Sequence, residues 1–268
     1  MRDKIVLAAA IFIIMIIIFA VFAPFIATCD PSKIDALNIL ASPTGAHIFG
    51  TDTLGRDIFS RVVYGSRISL VIGFVAVGIS VAIGVIFGSV AGYYGRKIDY
   101  CLMRFVDMML CFPTLFLILA VVAVLEPSIW NIMVVIGATS WMGVARLVRA
   151  EILTLKERDY VAAARVMGAS DVWIILKHLV PNAIGPVIVS ATLGVGGAIL
   201  VESSLSFLGI GVQPPTPSWG NILMDGRSTI GVAWWLTVYP GIFITLTVLS
   251  YNILGERLRD YFEPRLKR

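Results

Sequence analysis

Few side chains in this sequence are of types that do chemistry, and their spacing does not favour it. His47 and His178 are the only histidines, and nothing in the sequence ties them together. The cysteines are Cys29, Cys101 and Cys111. An odd cysteine count with no C-x-x-C and no Cys/His metal spacing argues against a disulfide framework or a metal site, and small apolar packing residues are expected instead. No nucleophile–base pair stands out. The phosphate-cradling pattern G-x-x-x-x-G-K-[ST] is absent, so no P-loop is expected on this chain. Two acids lie inside apolar runs, Asp107 in "MRFVDMM" and Glu202 in "VESSLSF". Unpaired at mid-bilayer, each would cost about 2.5–3.5 kcal/mol, so each must face protein or water. Two readings stay open for both: a group lining a pathway, or a structural hydrogen bond or ion pair near an interface. Two isolated acids do not make a proton relay.

The elements that would position these residues are membrane spans. Of 268 residues, 58% are hydrophobic and 14% charged, and the mean hydropathy is +0.92. Long apolar runs between short charged ones predict an all-α, polytopic membrane bundle. The runs are Ile5–Ile26, Ser69–Tyr93, Leu102–Leu125, Ile129–Ala145, Ala183–Ile210 and Trp234–Leu254. Each is long enough, or nearly so, to cross, which makes about six transmembrane helices. The first is longer than the apolar core of a signal peptide, so a retained helix is favoured over a cleaved one.

Lys and Arg set the orientation. With the N-terminus in the cytoplasm, the outer side holds Lys33, Arg56, Arg61, Arg67 and Arg227. The other sixteen cations fall inside, Arg265, Lys267 and Arg268 among them. Both termini are then cytoplasmic. In the outer loop, Asp30, Asp35, Asp52 and Asp57 balance four of the five bases. "GTDTLGRDIFSR" is expected to be an amphipathic segment on the outer surface, with Arg56 and Asp57 paired locally.

Small residues should govern packing, because lipid gives helices little hydrophobic reason to associate. Gly84, Gly88 and Gly92 share one helical face, and Gly194–Gly197 form a second small-residue patch. Pro113 is expected to kink the third span, and Pro240 could do the same in the sixth.

One long polar stretch interrupts the apolar pattern, "RDYVAAARVMGASDVWIILKHLVP" from Arg158 to Pro181. Thr154 to about Met167 reads as a helix that Gly168 ends in the manner of a C-cap. Ser170 is a good N-cap for a second helix, and Asp171 suits its positive first turn. Val172, Ile175, Leu176 and Leu179 form an apolar stripe, and Pro181 should stop the helix. The result is a helix–Gly–helix elbow on the cytoplasmic side. Two readings stay open from physics: an amphipathic loop lying on lipid headgroups through Arg158, Arg165 and Lys177, or a knob that docks into a partner's groove.

"YVAAARVMGASDVWIILKHLVPNAIGP" resembles the EAA loop of permease subunits in binding-protein-dependent ABC importers. Ala163, Ala164, Gly168, His178, Leu179 and Pro181 fall on that motif. "FGTDTLGRDIFSRVVYGSRISL" and "SSLSFLGIGVQPPTPSWGNIL" resemble the C-type subunit of the dipeptide/oligopeptide/nickel branch, and the three motifs together cover nearly the whole chain. One position departs: the family often carries Glu just before the alanine pair, and this chain has Ala162. Docking would then rest on shape and apolar contact, with Asp159 or Arg165 as a substitute polar contact.

The resemblance implies a non-catalytic transport subunit of a bacterial cytoplasmic membrane. Its segments would be an N-terminal helix plus extracytoplasmic part, 1–68, and a permease domain, 69–268, including the 154–182 loop. Partners would be a sister permease, two cytoplasmic ATPase subunits that bind ATP and Mg, and an extracytoplasmic binding protein; no nucleic acid is implied. ATPase coupling would fall to Asp159, Tyr160, Ala163, Ala164, Arg165, Gly168, Ala169, His178 and Pro181. Pathway or gating candidates are Asp107, Pro113 and Glu202. Gln213, Pro214 and an outward-facing Trp219 in "GVQPPTPSWGN" would touch the binding protein, unless that loop is only a rigid turn capping the last two spans. Peptides are the implied substrates, with nickel or its chelates as runner-up. An ion-coupled secondary transporter is the competing class, and the thin supply of buried charge counts against it. A non-transporting membrane scaffold is a third.

Overall fold

The computed structural model describes residues 2–126 and 128–262. The C-terminal cations Arg265, Lys267 and Arg268 lie outside the described residues. In chain order the helices are α1 (Arg2–Val21), α2 (Ala23–Ile26), α3 (Ile58–Tyr94), α4 (Arg96–Leu110), α5 (Thr114–Val124), α6 (Ile129–Leu155), α7 (Asp159–Val166) and α8 (Asp171–Ile174). A π-helical turn, Ile175–Leu179, leads into α9 (Val180–Asn182), α10 (Ile184–Phe207), α11 (Trp219–Gly226) and α12 (Trp235–Phe262). Five of these, α1, α3, α6, α10 and α12, are long and apolar enough to cross a membrane. The pair α4 and α5, bent by 82° at their junction, makes a sixth crossing if counted as one span. The all-α bundle read from the sequence is therefore the observed architecture.

The bend corrects one expectation. Pro113 does not kink a continuous helix; it separates two. Its backbone is extended at ψ 119°, and it stands at the N-cap of α5. The missing amide and the clash with the preceding turn account for the break. Ahead of it, α4 is amphipathic and is fastened to α6 by two ion pairs. Arg149 clasps Asp99 with two nitrogens, Nη2 at 2.6 Å, and Arg146 Nη2 donates to Asp107 Oδ1 at 2.6 Å. Pro240, by contrast, is buried inside an uninterrupted α12.

Close approach of α3 and α6 organises the centre. A Cβ added at Gly84 would lie 2.6 Å from Val144 Cβ, and one at Gly88 would lie 2.5 Å from the Ala145 carbonyl oxygen. At Gly92 it would meet Ile152 Cβ at 2.8 Å. The row of glycines is thus a helix contact face that no larger residue fits. The second patch packs more loosely: Gly194 faces Val77, Gly196 faces Val248, and Gly197 faces open space.

The bundle has two polar ends. Asp3 pairs with Arg257, so the start of α1 lies beside the end of α12. That end also holds the α3–α4 turn and the segment 156–183, and is called the elbow end here. The opposite, loop end holds 27–57 and 208–233.

Candidate functional site

The elbow is built from a short loop and three pieces of helix. After Leu155 the chain turns and restarts at Asp159, so the first arm is a separate helix, α7, rather than a continuation of α6. Gly168 follows with φ +81°, the left-handed conformation that glycine takes without strain. The Ser170 side chain accepts from the Trp173 amide, and Asp171 occupies the first turn of α8, as its sequence suggests.

Pro181 does not stop the second arm. The helix widens into a π turn over Ile175–Leu179 and passes through Pro181 in α9 before breaking at Ala183. Proline has no amide to donate, and a widened turn directly ahead of it relieves the crowding that its ring would cause. The same turn changes which residues point inward. The expected stripe of Val172, Ile175, Leu176 and Leu179 is half right: Ile175 and Leu179 are buried, together with Ile174, whereas Val172 and Leu176 are exposed. Ile174, Ile175 and Leu179 join Val161 and Ala164 of α7 against Val144, Val148 and Ile152 of α6.

Polar contacts brace the elbow from the side. Tyr93, at the end of α3, donates to Asp171 Oδ1 at 2.6 Å. The Arg165 guanidinium lies 5.9 Å from the centre of the Tyr93 ring. His178 sits between Tyr160 and Trp173, with ring centres 5.8 and 4.8 Å away. Lys156 Nζ donates to the Gly92 carbonyl at 3.2 Å. Of the residues singled out on the sequence, Asp159, Tyr160, Ala163, Arg165, Gly168 and Pro181 are exposed, and Ala169 and His178 are partly covered. Ala164 is buried and faces the core. Ala162, where the acid is missing, is exposed.

What the sequence reading missed is the apolar character of the tip. Val166 and Met167 are 88% and 80% exposed, and Val172, Trp173 and Leu176 are also exposed. Five large apolar side chains thus surround Gly168 in water or at a partner, on a base that is itself well packed. The signal was in the sequence: Val166 and Met167 directly precede a glycine turn, where no further turn of α7 can cover them.

The loop end is organised in the opposite way. "GTDTLGRDIFSR" is not an outer amphipathic surface; Thr51, Asp52, Arg56, Asp57 and Arg61 are all buried. Arg56 is not paired with Asp57. Its Nε donates to Asp52 at 2.6 Å and its Nη2 to Asp225 at 3.2 Å. Arg61 donates to both Asp52 and Asp225, the latter at 2.8 Å. Asp57 instead caps α3, accepting from the Ser60 amide at 2.8 Å, and contacts His47 Nδ1 at 2.9 Å. Burial is tolerable because two carboxylates and two guanidinium groups neutralise one another. Near the exposed tip of this loop, the Asn38 side chain and then the Leu37 amide hold the Asp35 carboxyl below the usual carboxylate range.

Trp219 requires a further correction. It is fully buried, packs over Gly65 of α3, and its indole nitrogen donates to the Val62 carbonyl at 3.0 Å. It therefore anchors α11 and faces no partner across the membrane surface. Gln213 and Pro214 are exposed, and Gln213 Nε2 donates to the Gly209 and Gly211 carbonyls at 3.1 Å each. Glu202 is also fully buried; Ser206 Oγ donates to it at 2.7 Å and accepts from the Val212 amide at 2.9 Å. These bonds tie α10 to the following turn. Asp107 is half exposed and pairs with Arg146.

The architecture and these motifs have known counterparts. The model for the binding-protein-dependent transport system inner membrane component matches residues 84–268, and that for the N-terminal TM domain of oligopeptide transport permease C matches 1–43. The dipeptide transport system permease protein DppC of Alkalihalophilus pseudofirmus is 42% identical over 99% of this chain and 88% of its own length. The oligopeptide transport system permease protein OppC of Haemophilus influenzae is 42% identical over 98% of this chain and 86% of its own. Among solved structures, an inward-facing MetNI methionine ABC transporter superposes with TM-score 0.56 at 17% identity, covering 76% of this chain and 97% of that one. An amino acid ABC transporter superposes with TM-score 0.51, covering 77% and 92%. At such identity these two speak to the fold alone.

Proposed function

This chain belongs to the family of binding-protein-dependent transport system inner membrane components, and from that premise we propose that it is the permease subunit of an ATP-driven importer of di- or oligopeptides. The observation that carries the reading is the elbow, a firmly based knob whose apolar tip no described residue covers. Exposed aromatic and aliphatic anchors of this kind suit a groove in a partner. The partners are a sister permease, two cytoplasmic ATPase subunits and an extracytoplasmic binding protein. ATP and Mg²⁺ belong to the ATPases, and this chain carries out no chemical step.

In this reading the elbow end is cytoplasmic, in keeping with the excess of Lys and Arg there, and both termini lie on that side. Closure of the ATPase pair moves the knob, and α7 and α8 carry that motion to α6 and α10. Missing Glu at Ala162, the knob is gripped by fit around Gly168, with Asp159 as its exposed acid. Arg165 is engaged at Tyr93 and steadies the base. The binding protein delivers substrate at the loop end, where Gln213 and Pro214 are exposed. The names of the relatives favour peptides over nickel.

Reconstitution of the chain with these partners tests the proposal. Labelled dipeptide should accumulate in proteoliposomes only with ATP, both ATPases and the binding protein. Uptake by this chain alone under an ion gradient would refute it.

A further inference from the structure

Midway along the bundle, α3, α6 and α10 enclose a groove of about 280 Å³. At roughly 30 Å³ per water it has room for about nine. Its wall mixes small residues, among them Gly143, Gly194 and Gly197, with four valines and Ile136, and it holds no charged side chain. Three hydroxyls stand in it, one from each helix: Ser80, Ser140 and Ser190.

The hydroxyls of the spans fall into two groups, those bonded back to their own helix and those without a partner, the latter including Ser89, Thr247 and Tyr251. Thr139, Thr192 and Ser204 each donate to a carbonyl of the preceding turn of their own helix. Ser80, Ser140 and Ser190 make no side-chain hydrogen bond to any described residue; Ser80 is buried, Ser190 partly covered and Ser140 exposed. An unbonded hydroxyl in hydrocarbon is disfavoured, so three converging ones call for water or a polar ligand in the groove. Lipid tails do not meet that need.

We infer that this groove is a contact point for the main chain of a passing peptide, an inference that rests on the peptide-importer reading above. A hydroxyl both donates and accepts, so it can bond either a carbonyl or an amide of a peptide. With no charge in the wall, the groove neither attracts nor repels acidic or basic side chains. Its glycines leave room for side chains of different size. The groove thus reads what peptides share and ignores what distinguishes them.

The test uses the assembled importer in proteoliposomes. The variant Ser80→Ala/Ser140→Ala/Ser190→Ala should take up neutral, acidic and basic dipeptides about tenfold more slowly or worse, by a similar factor for all three. Copurification of the ATPases would establish that the variant is assembled. A dipeptide methylated on its amide nitrogen should be a poor substrate of the wild type and lose little further in the variant. In a chain with Cys29, Cys101 and Cys111 replaced by serine, a Ser140→Cys thiol should react with a small water-soluble reagent, and transported dipeptide should slow that reaction. Unchanged uptake by the assembled triple variant overturns the inference. So does loss confined to one side-chain class, or a Ser140→Cys thiol that is buried against the sister subunit. If the wild type moves no peptide at all, the importer reading itself falls; if it moves peptides and the serine variants match it, only the groove does.

Discussion

In the ion cluster of the loop end, charges are buried against one another; at the tip of the elbow, apolar residues are exposed and charges stand around them. Asp52, Arg56, Arg61 and Asp225 pair with one another inside the protein. Val166, Met167, Val172, Trp173 and Leu176 are left uncovered. The first arrangement closes a structure on itself. The second leaves its favourable contacts to be made with something else. The two arrangements stand at opposite ends of one bundle, joined by the tightly packed α3 and α6.

The contrast breaks first at the loop end. Arg61→Ala leaves Asp52 and Asp225 facing a single guanidinium in a buried site, and should destabilise the protein by about 3–5 kcal/mol. Thermal unfolding in detergent measures it, and a melting temperature unchanged from wild type would contradict the buried cluster. Next comes the link between the ends. Gly88→Ala drives a methyl against the Ala145 carbonyl, which side-chain rotation cannot relieve, and about 1–3 kcal/mol of stability should be lost. The same melting assay ranks it below Arg61→Ala.

At the elbow the order of stability and function reverses. Gly168→Trp meets open space, so its cost is the left-handed backbone alone, about 1–2 kcal/mol. Insertion and folding should survive, while copurification with the ATPase is lost. Normal transport by this variant would remove the elbow from the coupling scheme. The smallest effect is expected at the exposed pair between α4 and α6: Arg146→Ala should shift stability by about 0.2–1 kcal/mol, less in high salt. Melting curves at two ionic strengths would check the sign of that dependence.

Much of the bundle was legible because its signals are local. Apolar run length marked the spans, and the i, i+4, i+8 spacing of Gly84, Gly88 and Gly92 marked the α3 contact face. Gly168 and Ser170 marked the elbow's bend, since caps act within a few residues of themselves. The failures have a common cause, which is that they depend on distant partners. Nothing near Arg56 announces Asp225, so pairing with adjacent Asp57 looked sufficient. Trp219 follows a Pro-rich turn and reads as a surface residue until Gly65 supplies the gap it fills. Pro181 ends an ordinary helix, but the π turn before it accompanies burial of Ile174, Ile175 and Leu179 against distant helices, α3 and α6 among them. The apolar tip was legible in principle, and its importance appears only once the base beneath it is seen to be covered.

The ion cluster at the loop end also sets a sequence of events during synthesis. Asp52 and Arg56 are four residues apart and can pair as soon as their loop has been made. Asp225 lies 164 residues beyond Arg61. At about 5–20 residues per second, that distance is on the order of ten to thirty seconds of translation. Throughout that interval the first loop carries one more guanidinium than its nearest carboxylate can neutralise, and α11 has not been made. This one link between the early and late halves of the chain therefore forms only near the end of biosynthesis, when Asp225 arrives.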